Sequence, residues 1–261
     1  MRAASVWMTA ALAAVLAFAA STVRVQAAPK IPSYIAAAVA DSGRPAADKQ
    51  RDALRKPAET LAFAGVKPGD KVAELIPAAG YFTRMLSKVV GSSGHVYMLT
   101  PPPPKSPRPG MRDMTAMANA IAQNPEYSNV SGVSLAQPGP GFGLPEPVDL
   151  FWTTQNYHDL HNFPGTDIAA FNKRVFEALK PGGIYFIVDH AAAPGTGASE
   201  TRTLHRIDPE QVKKEVEAAG FEFVGESSVL RNPQDPHTKI VFDPSIRGHT
   251  DQFMFKFRKP R

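Results

Sequence analysis

The stretch KPGDKVAELIPAAGYFTRMLSKVV, residues 67–90, decides the fold. Pro68-Gly69-Asp70 reads as a turn, and 72–76 is an apolar run of strand length. Pro77-Ala78-Ala79-Gly80 then bends the chain into an amphipathic segment with Phe82, Met85, Leu86, Val89 and Val90 on one side. Strand, tight turn and helix in this order make the first half of a βαβ unit. The turn offers the unpaired amides of a helix start to a ligand, so fold and candidate site follow from the same bend.

Downstream the alternation continues. Residues 95–99 (HVYML) form a second strand, 101–109 a stiff polyproline connector, 111–123 a helix and 130–135 a weak third strand. After a Pro/Gly loop at 137–147, the run VDLFWT at 148–153 is apolar almost throughout, as a strand covered on both faces must be. A helix at 167–179 puts Ile168, Phe171, Val175, Phe176 and Leu179 inward, and Lys180-Pro181-Gly182-Gly183 ends it before the strand 184–188. Asp208-Pro209 starts a helix over 210–219 with an N-cap acid and a proline at the first helical position. Two closing strands are expected at 221–229 and 252–257, joined by a connection at 230–250 that is long for a hairpin.

Upstream, residues 50–64 carry Leu54, Leu61 and Phe63 at helical spacing with a break at Pro57, and 28–49 reads as an extended lead-in. Residues 1–27 read as a cleavable signal peptide. Arg2 is followed by the uncharged run 6–20 and by small residues at Val25-Gln26-Ala27, and the run is short for a membrane span of ~20 residues. The expectation is a periplasmic or secreted protein with no stable membrane insertion once the leader is removed. The remainder, 50–261, is expected to be one α/β domain.

Composition narrows the function. The 261 residues are 43% hydrophobic and 20% charged, the globular range, and no cysteine is present for a disulfide or thiolate site. The formal charge of +5 falls by two, to +3, when Arg2 and Arg24 leave with the leader. Its basic residues are scattered rather than striped with aromatics, which argues against a nucleic-acid partner. No GxxxxGK[ST] loop is present, which removes support for nucleotide hydrolysis, and no HExxH.

With this order in hand, the chain resembles the class I S-adenosylmethionine-dependent methyltransferase superfamily, most of all a bacterial branch of predicted methyltransferases with N-terminal leaders. The resemblance rests on AELIPAAGYFT at 73–83, TQNYHDLH at 154–161, Pro181-Gly182-Gly183 before a strand ending in Asp189-His190, and the two-strand finish. It covers about 50–260. It implies a single Rossmann-like doubly wound sheet, mostly parallel with an antiparallel last strand, S-adenosyl-L-methionine as cofactor, and methyl transfer to a small-molecule acceptor. The cofactor-binding positions it implies are Glu74, Ala78, Ala79, Gly80 and Tyr81 around its methionine part, and Thr100 where the family has an acid for the ribose. Two departures stand out: of the glycines in the family's loop only Gly80 is kept, and the second strand ends in Thr100-Pro101 without a carboxylate. An alanine adds a Cβ and disfavours positive φ, and a threonine makes one hydrogen bond where an acid makes a charge-assisted pair.

The candidate catalytic residues are Asn156, Tyr157, His158 and Asp159, after the buried fourth strand, with Asp189 and His190 at the end of the next. Ligands of open α/β sheets bind outside the carboxyl ends of the strands, where these groups fall. His158 suits proton transfer from an acceptor near neutrality, Asp159 would fix its tautomer, and Asn156 and Tyr157 would hold the acceptor. The competing reading is a capped turn with an exposed histidine. Glu74 either orients the cofactor's amino group or sits on helix-start amides. Asp208 reads as an N-cap, while His205 and Arg206 divide between site and surface. The polar connection from Arg231 to Asp251 is either a lid or a loop held by its own charge pairs. His158, His161, Asp189, His190, His205 and His237 could be brought together around a metal, but no dense ligand run is present and no metal is assigned. The alternative to methyl transfer is a secreted, non-methylating binding protein or a His/Asp-based hydrolase on the same scaffold.

Overall fold

Alternate residues along the first strand, β1 (Lys71–Leu75), feed two different cores, and the rest of the architecture is built on that division. Val72 joins Leu150, Trp152, Phe186, Val188 and Met254 on one face, whereas Ala73 and Leu75 join Phe151, Tyr185, Ile187 and Phe255 on the other. A computed structural model of the chain describes residues 30–103 and 113–261. The expected leader at 1–27 and much of the polyproline connector lie outside the described residues.

The strands that follow are β2 (His95–Thr100), β3 (Val130–Ser134), β4 (Val148–Thr154), β5 (Leu179–His190), β6 (Glu222–Ser227) and β7 (Gln252–Arg258). They form a seven-stranded sheet in the order β3-β2-β1-β4-β5-β7-β6. The first five pair in parallel, and β7 runs antiparallel to both β5 and β6, as the sequence led us to expect. Chain order reverses between β1 and β4. A doubly wound sheet opens a crevice at such a point, above the carboxyl ends of the strands.

Helices cover both faces. On the first lie α1 (Ser33–Val39), α4 (Pro57–Ala64), α5 (Tyr81–Val90) and α6 (Met114–Ala122); on the second lie α8 (Ile168–Ala178) and α9 (Pro209–Ala218). Short helices α2 (Ala46–Lys49), α3 (Asp52–Arg55) and α7 (Tyr157–Leu160) sit between these elements. In α5, Met85, Leu86, Val89 and Val90 are buried, the stripe its spacing predicts. In α9, Asp208 accepts from the Glu210 amide, the N-cap expected of it.

Two expectations need correction. Part of the lead-in at 28–49 is helical rather than extended: α1 buries Ile35 and Ala38 in the core shared with α5, and α2 follows. The alanines that look like linker composition are the best helix formers, and Ile35 gives the helix something to bury. The second correction concerns β5, which is longer than 184–188. It begins at Leu179, directly after α8, and Gly182 at φ 79° lets the backbone turn through Lys180–Gly183.

The connection between β6 and β7 is held by charge pairs, some its own and one to Arg206 outside it. Arg206 and Asp235, both fully buried, pair through two bonds of 2.8 and 3.1 Å, and Asp251 pairs with Arg231 at 2.9 Å and His237 at 3.1 Å. Among the described residues, no helix is long and apolar enough to cross a membrane.

Candidate functional site

The turn after β1 keeps a glycine-like backbone with only one glycine. Ile76, Ala78 and Gly80 all stand in the left-handed region, at φ 47°, 50° and 77°. A β-branched residue there is a steric outlier, and such strain persists only where surrounding structure holds it. Here the clamp is visible. The Ile76 amide donates to Leu99 O at 2.8 Å, and Asn156 Nδ2 lies 3.1 Å from Leu75 O, 3.2 Å from Ile76 O and 2.8 Å from Thr154 O. One side-chain amide therefore ties the ends of β1 and β4 across the reversal point. Gly80 is fixed twice over: its φ is positive, and a Cβ would run into Ile121 Cδ1.

Around this turn the polar side chains are already paired. Glu74 is buried, its Oε2 accepts from Thr83 Oγ1 at 2.6 Å, and burial pushes its carboxyl up to about 7. It does not sit on helix-start amides. Tyr81 donates to Asp52 Oδ1 at 2.6 Å, and burial together with that carboxylate pushes its phenol well up. Thr100 is buried, with Oγ1 3.4 Å from Thr115 Oγ1. Ala79 is exposed at the apex of the turn and Ala78 is half-buried.

Beyond Asn156 the remaining candidates separate. Tyr157 turns inward: it is fully buried, donates to Glu215 Oε2 at 2.9 Å and accepts from Asn172 Nδ2 at 2.8 Å. His158 and Asp189 meet, with Nδ1 and the main-chain amide of His158 each 2.8 Å from the carboxylate. Burial alone would raise the Asp189 carboxyl, but His158 outweighs it and holds the group below the usual range. Burial likewise opposes charge on His158, yet Asp189 and Asp159 hold its imidazole above the ordinary value. Asp159, half-buried, is pushed up by burial. His190 is different. Burial drives it down to about 3, so it is neutral at physiological pH, and its Nδ1 lies 2.8 Å from Thr250 Oγ1.

His205, placed evenly between site and surface by the sequence, joins this group: its Nδ1 is 3.2 Å from His158 Nε2. Arg206 beside it is a core residue, donating to Asp235 and Ala191 O. His161 and His237 go elsewhere, to Glu215 and Asp251.

Two cavities open near the carboxyl rim. One, about 520 Å³, is lined by Arg51, Arg55, Arg247, Gln155, His190 and Phe242 among others. None of the three arginines has a carboxylate partner among the described residues. The Arg55 guanidinium lies 4.4 Å from the Tyr81 ring centroid and 4.8 Å from that of Phe82, and burial with Arg51 nearby brings it down to about 10. It donates to Gln155 Oε1 at 3.3 Å, and Gln155 itself stands at φ 60°. The sequence analysis missed Arg51 and Arg55 as site residues, although their four-residue separation places them on one side of a helical turn. The other cavity, about 570 Å³, is largely apolar and lies beyond β2 and β3, between Pro101, Pro102, Leu135, Phe142, Leu160 and Phe171. A hollow of about 160 Å³ beside Asp149 and Lys180 lies at the opposite ends of the strands, away from this rim.

Comparison with known proteins gives a fold but no sequence family: no family model matches the chain, and no curated protein matches it. Solved structures do. An S-adenosylmethionine-dependent methyltransferase from Aquifex aeolicus superposes with a TM-score of 0.56 at 19% identity, over 82% of this chain and 98% of that one. A putative methyltransferase from Haloferax volcanii, solved with its Trm112 activator, gives 0.54 at 16% identity, over 87% and 98%. The [4+2]-cyclase SpnF gives 0.52 at 18% identity, over 85% of each chain. At these identities the likeness is one of fold.

Proposed function

We propose that the protein is a methyltransferase that binds S-adenosylmethionine along the rim of β1, β2 and β4 and methylates a small acceptor carrying a negative charge. The observation that carries this reading is the left-handed backbone at Ile76, Ala78 and Gly80. Backbone strain that tertiary hydrogen bonds hold in place clusters at ligand clamps, and this turn stands at the reversal of chain order where such sheets bind ligands.

The residues fit the cofactor in backbone and in space. The turn 76–80 and the start of α5 supply main-chain amides, and the apolar cavity beyond β2 and β3 has room and character for a purine. Ala78, Ala79, Gly80 and Tyr81 would border the methionine part and Thr100 the ribose, with Glu74 beneath the turn. The bound cofactor supplies an electrophilic methyl group.

The remaining steps belong to this chain's side chains. Arg51, Arg55 and Arg247 supply a positive wall without carboxylate partners, suited to hold a carboxylate or phosphate on the acceptor. His190 on the same wall stays neutral, so with its Nδ1 on Thr250 it offers the acceptor a hydrogen-bonding ring nitrogen rather than a base strong enough to take its proton. The His158–Asp189 pair behind it fixes the end of β5 and the start of α7, and Asn156 keeps the turn in register with them. A leader on residues 1–27 would send the protein to the periplasm or outside the cell.

A second reading, a non-methylating protein on this scaffold, draws on Glu74 and Thr100, whose polar atoms are taken up by Thr83 and Thr115. Thermal denaturation of the full chain with S-adenosylmethionine and S-adenosylhomocysteine tests between them. A ligand that binds only the folded state raises the midpoint in proportion to ln(1 + [L]/Kd), so a concentration-dependent rise supports the first reading and a flat response at millimolar ligand the second.

A further inference from the structure

His158 Nε2, His205 Nδ1 and Asp159 Oδ1 form a triangle. Its sides are 3.2 Å between the two histidines, 3.3 Å from His158 to Asp159 and 3.6 Å from His205 to Asp159. Two donors held by one transition-metal ion at about 2.0–2.2 Å, with roughly tetrahedral or square angles, stand about 3.0–3.5 Å apart. All three sides are close to that spacing before any ion enters. We propose that these three side chains bind one divalent transition-metal cation of the zinc or ferrous class.

Three further features support the assignment. The first is the chemistry of the donors: two imidazoles and one carboxylate favour zinc, iron or cobalt over calcium or magnesium, which prefer oxygen alone. The second is the group behind them. Asp189, fully buried, lies 2.8 Å from His158 Nδ1, the carboxylate–histidine arrangement that fixes the tautomer and turns the Nε2 lone pair toward a metal. The third is access. The His158 side chain is 4% exposed, but those of His205 and Asp159 are 30% and 31% exposed, so the triangle is rooted in the protein on one side and open on the other. An open side leaves coordination positions for water or for an anionic ligand atom. Phe242 packs its ring 5.0 Å from that of His205 and also lines the arginine cavity, so the open side adjoins the space that suits an anion.

The competing occupant is a proton. With Nδ1 of His158 committed to Asp189, the three facing atoms need something positive among them, and protonation of Nε2 is the minimal solution. Metal binding displaces that proton, which makes the two occupants distinguishable.

The site does not depend on methyl transfer, and its test uses no substrate. Full-length protein is stripped with chelator, dialysed and titrated with zinc and, separately, with cobalt, whose visible absorption reports nitrogen and oxygen coordination. The expected result is one equivalent bound, with proton release. His205→Asn removes the imidazole while suiting the left-handed backbone at this position (φ 54°), and should weaken binding at least a hundredfold. Asp189→Asn, which touches no metal, should weaken it about 10–100-fold. His237→Asn, on the Asp251 pair, should leave it unchanged. A folded wild-type protein that binds no metal at millimolar concentration, or binding that survives His205→Asn undiminished, overturns the assignment and leaves the proton as the occupant.

Discussion

Asn156 Nδ2 stands 3.2 Å from the carbonyl oxygen of Ile76, so a residue two past the end of β4 holds the strained residue that follows β1. The same amide lies 2.8 Å from Thr154 O. The two strands that flank the reversal of chain order are thus joined at their ends by one side chain. Replacing it with alanine leaves buried carbonyls short of a donor. Asn156→Ala should lose about 1–3 kcal/mol in urea unfolding, with faster amide exchange confined to 75–80 and 154–158.

Strain at the turn gives a prediction of opposite signs. Ala78 carries φ 50° with no glycine to ease it, so Ala78→Gly should be neutral or stabilise by up to about 1 kcal/mol. Gly80→Ala should destabilise by more than that, because the backbone is left-handed and the new methyl meets Ile121. The denaturant midpoint of Ala78→Gly should equal or exceed that of the wild type, and that of Gly80→Ala should fall below it.

Glu74 sets a limb of the pH–stability curve. Its folded value is raised to about 7 from an ordinary 4.5, so the folded state holds this proton more tightly than the unfolded state does. The stabilisation is fully present below about 4.5 and is lost as pH rises towards 7, roughly 3 kcal/mol in all. Glu74→Gln should abolish that fall and be more stable than wild type at pH 8, measured by denaturant titration across the range.

His158 and Asp189 act in a different window. Asp189 is held low, so its contribution is present above the unfolded aspartate value near 3.9 and disappears as acid protonates the folded carboxylate. His158 is held high, so its contribution is complete below about 6.5 and fades as pH rises through the folded value. The pair therefore contributes most between about pH 4 and 6.5. In chelator-stripped protein, the stability difference between wild type and Asp189→Asn should be greatest there and should shrink on both sides.

Arg206 and Asp235 lie in the interior, and removing one partner strands the other. Arg206→Met should cost about 3–5 kcal/mol, much of it from the unpaired carboxylate. The double variant Arg206→Met/Asp235→Leu should recover only the part owed to the unpaired charge in a thermal melt, because Asp235 also accepts from the amides of His237 and Asp251.

Most of the sheet was legible in the residues because burial writes itself into strand composition. The run at 148–153 has to be covered on both faces, and it is, with Leu150 and Trp152 in one core and Val148 and Phe151 in the other. The helix α1 was not legible, because an alanine-rich segment beside prolines has the composition of a linker and only packing on α5 shows otherwise. In the candidate site, the placing of Asp189 beside His158 followed from two strand ends lying side by side. The tautomer-fixing partner expected was Asp159, however, and the structure gives His158 Nδ1 to Asp189 instead. The inward turn of Tyr157 was not legible, since nothing local announces that Glu215 and Asn172 wait for its hydroxyl. Positive φ at Ile76 and Ala78 left no mark either. Glycine is the usual sign of that conformation, and here tertiary hydrogen bonds enforce it instead.

The central claim, that the turn after β1 still serves a cofactor, is tested most directly by calorimetric titration of S-adenosylhomocysteine into the full-length wild type and Gly80→Ala. The account predicts saturable binding of one equivalent to the wild type and at least tenfold weaker binding to the variant. No heat from the folded wild-type protein at millimolar ligand, or equal affinity in both proteins, would contradict it.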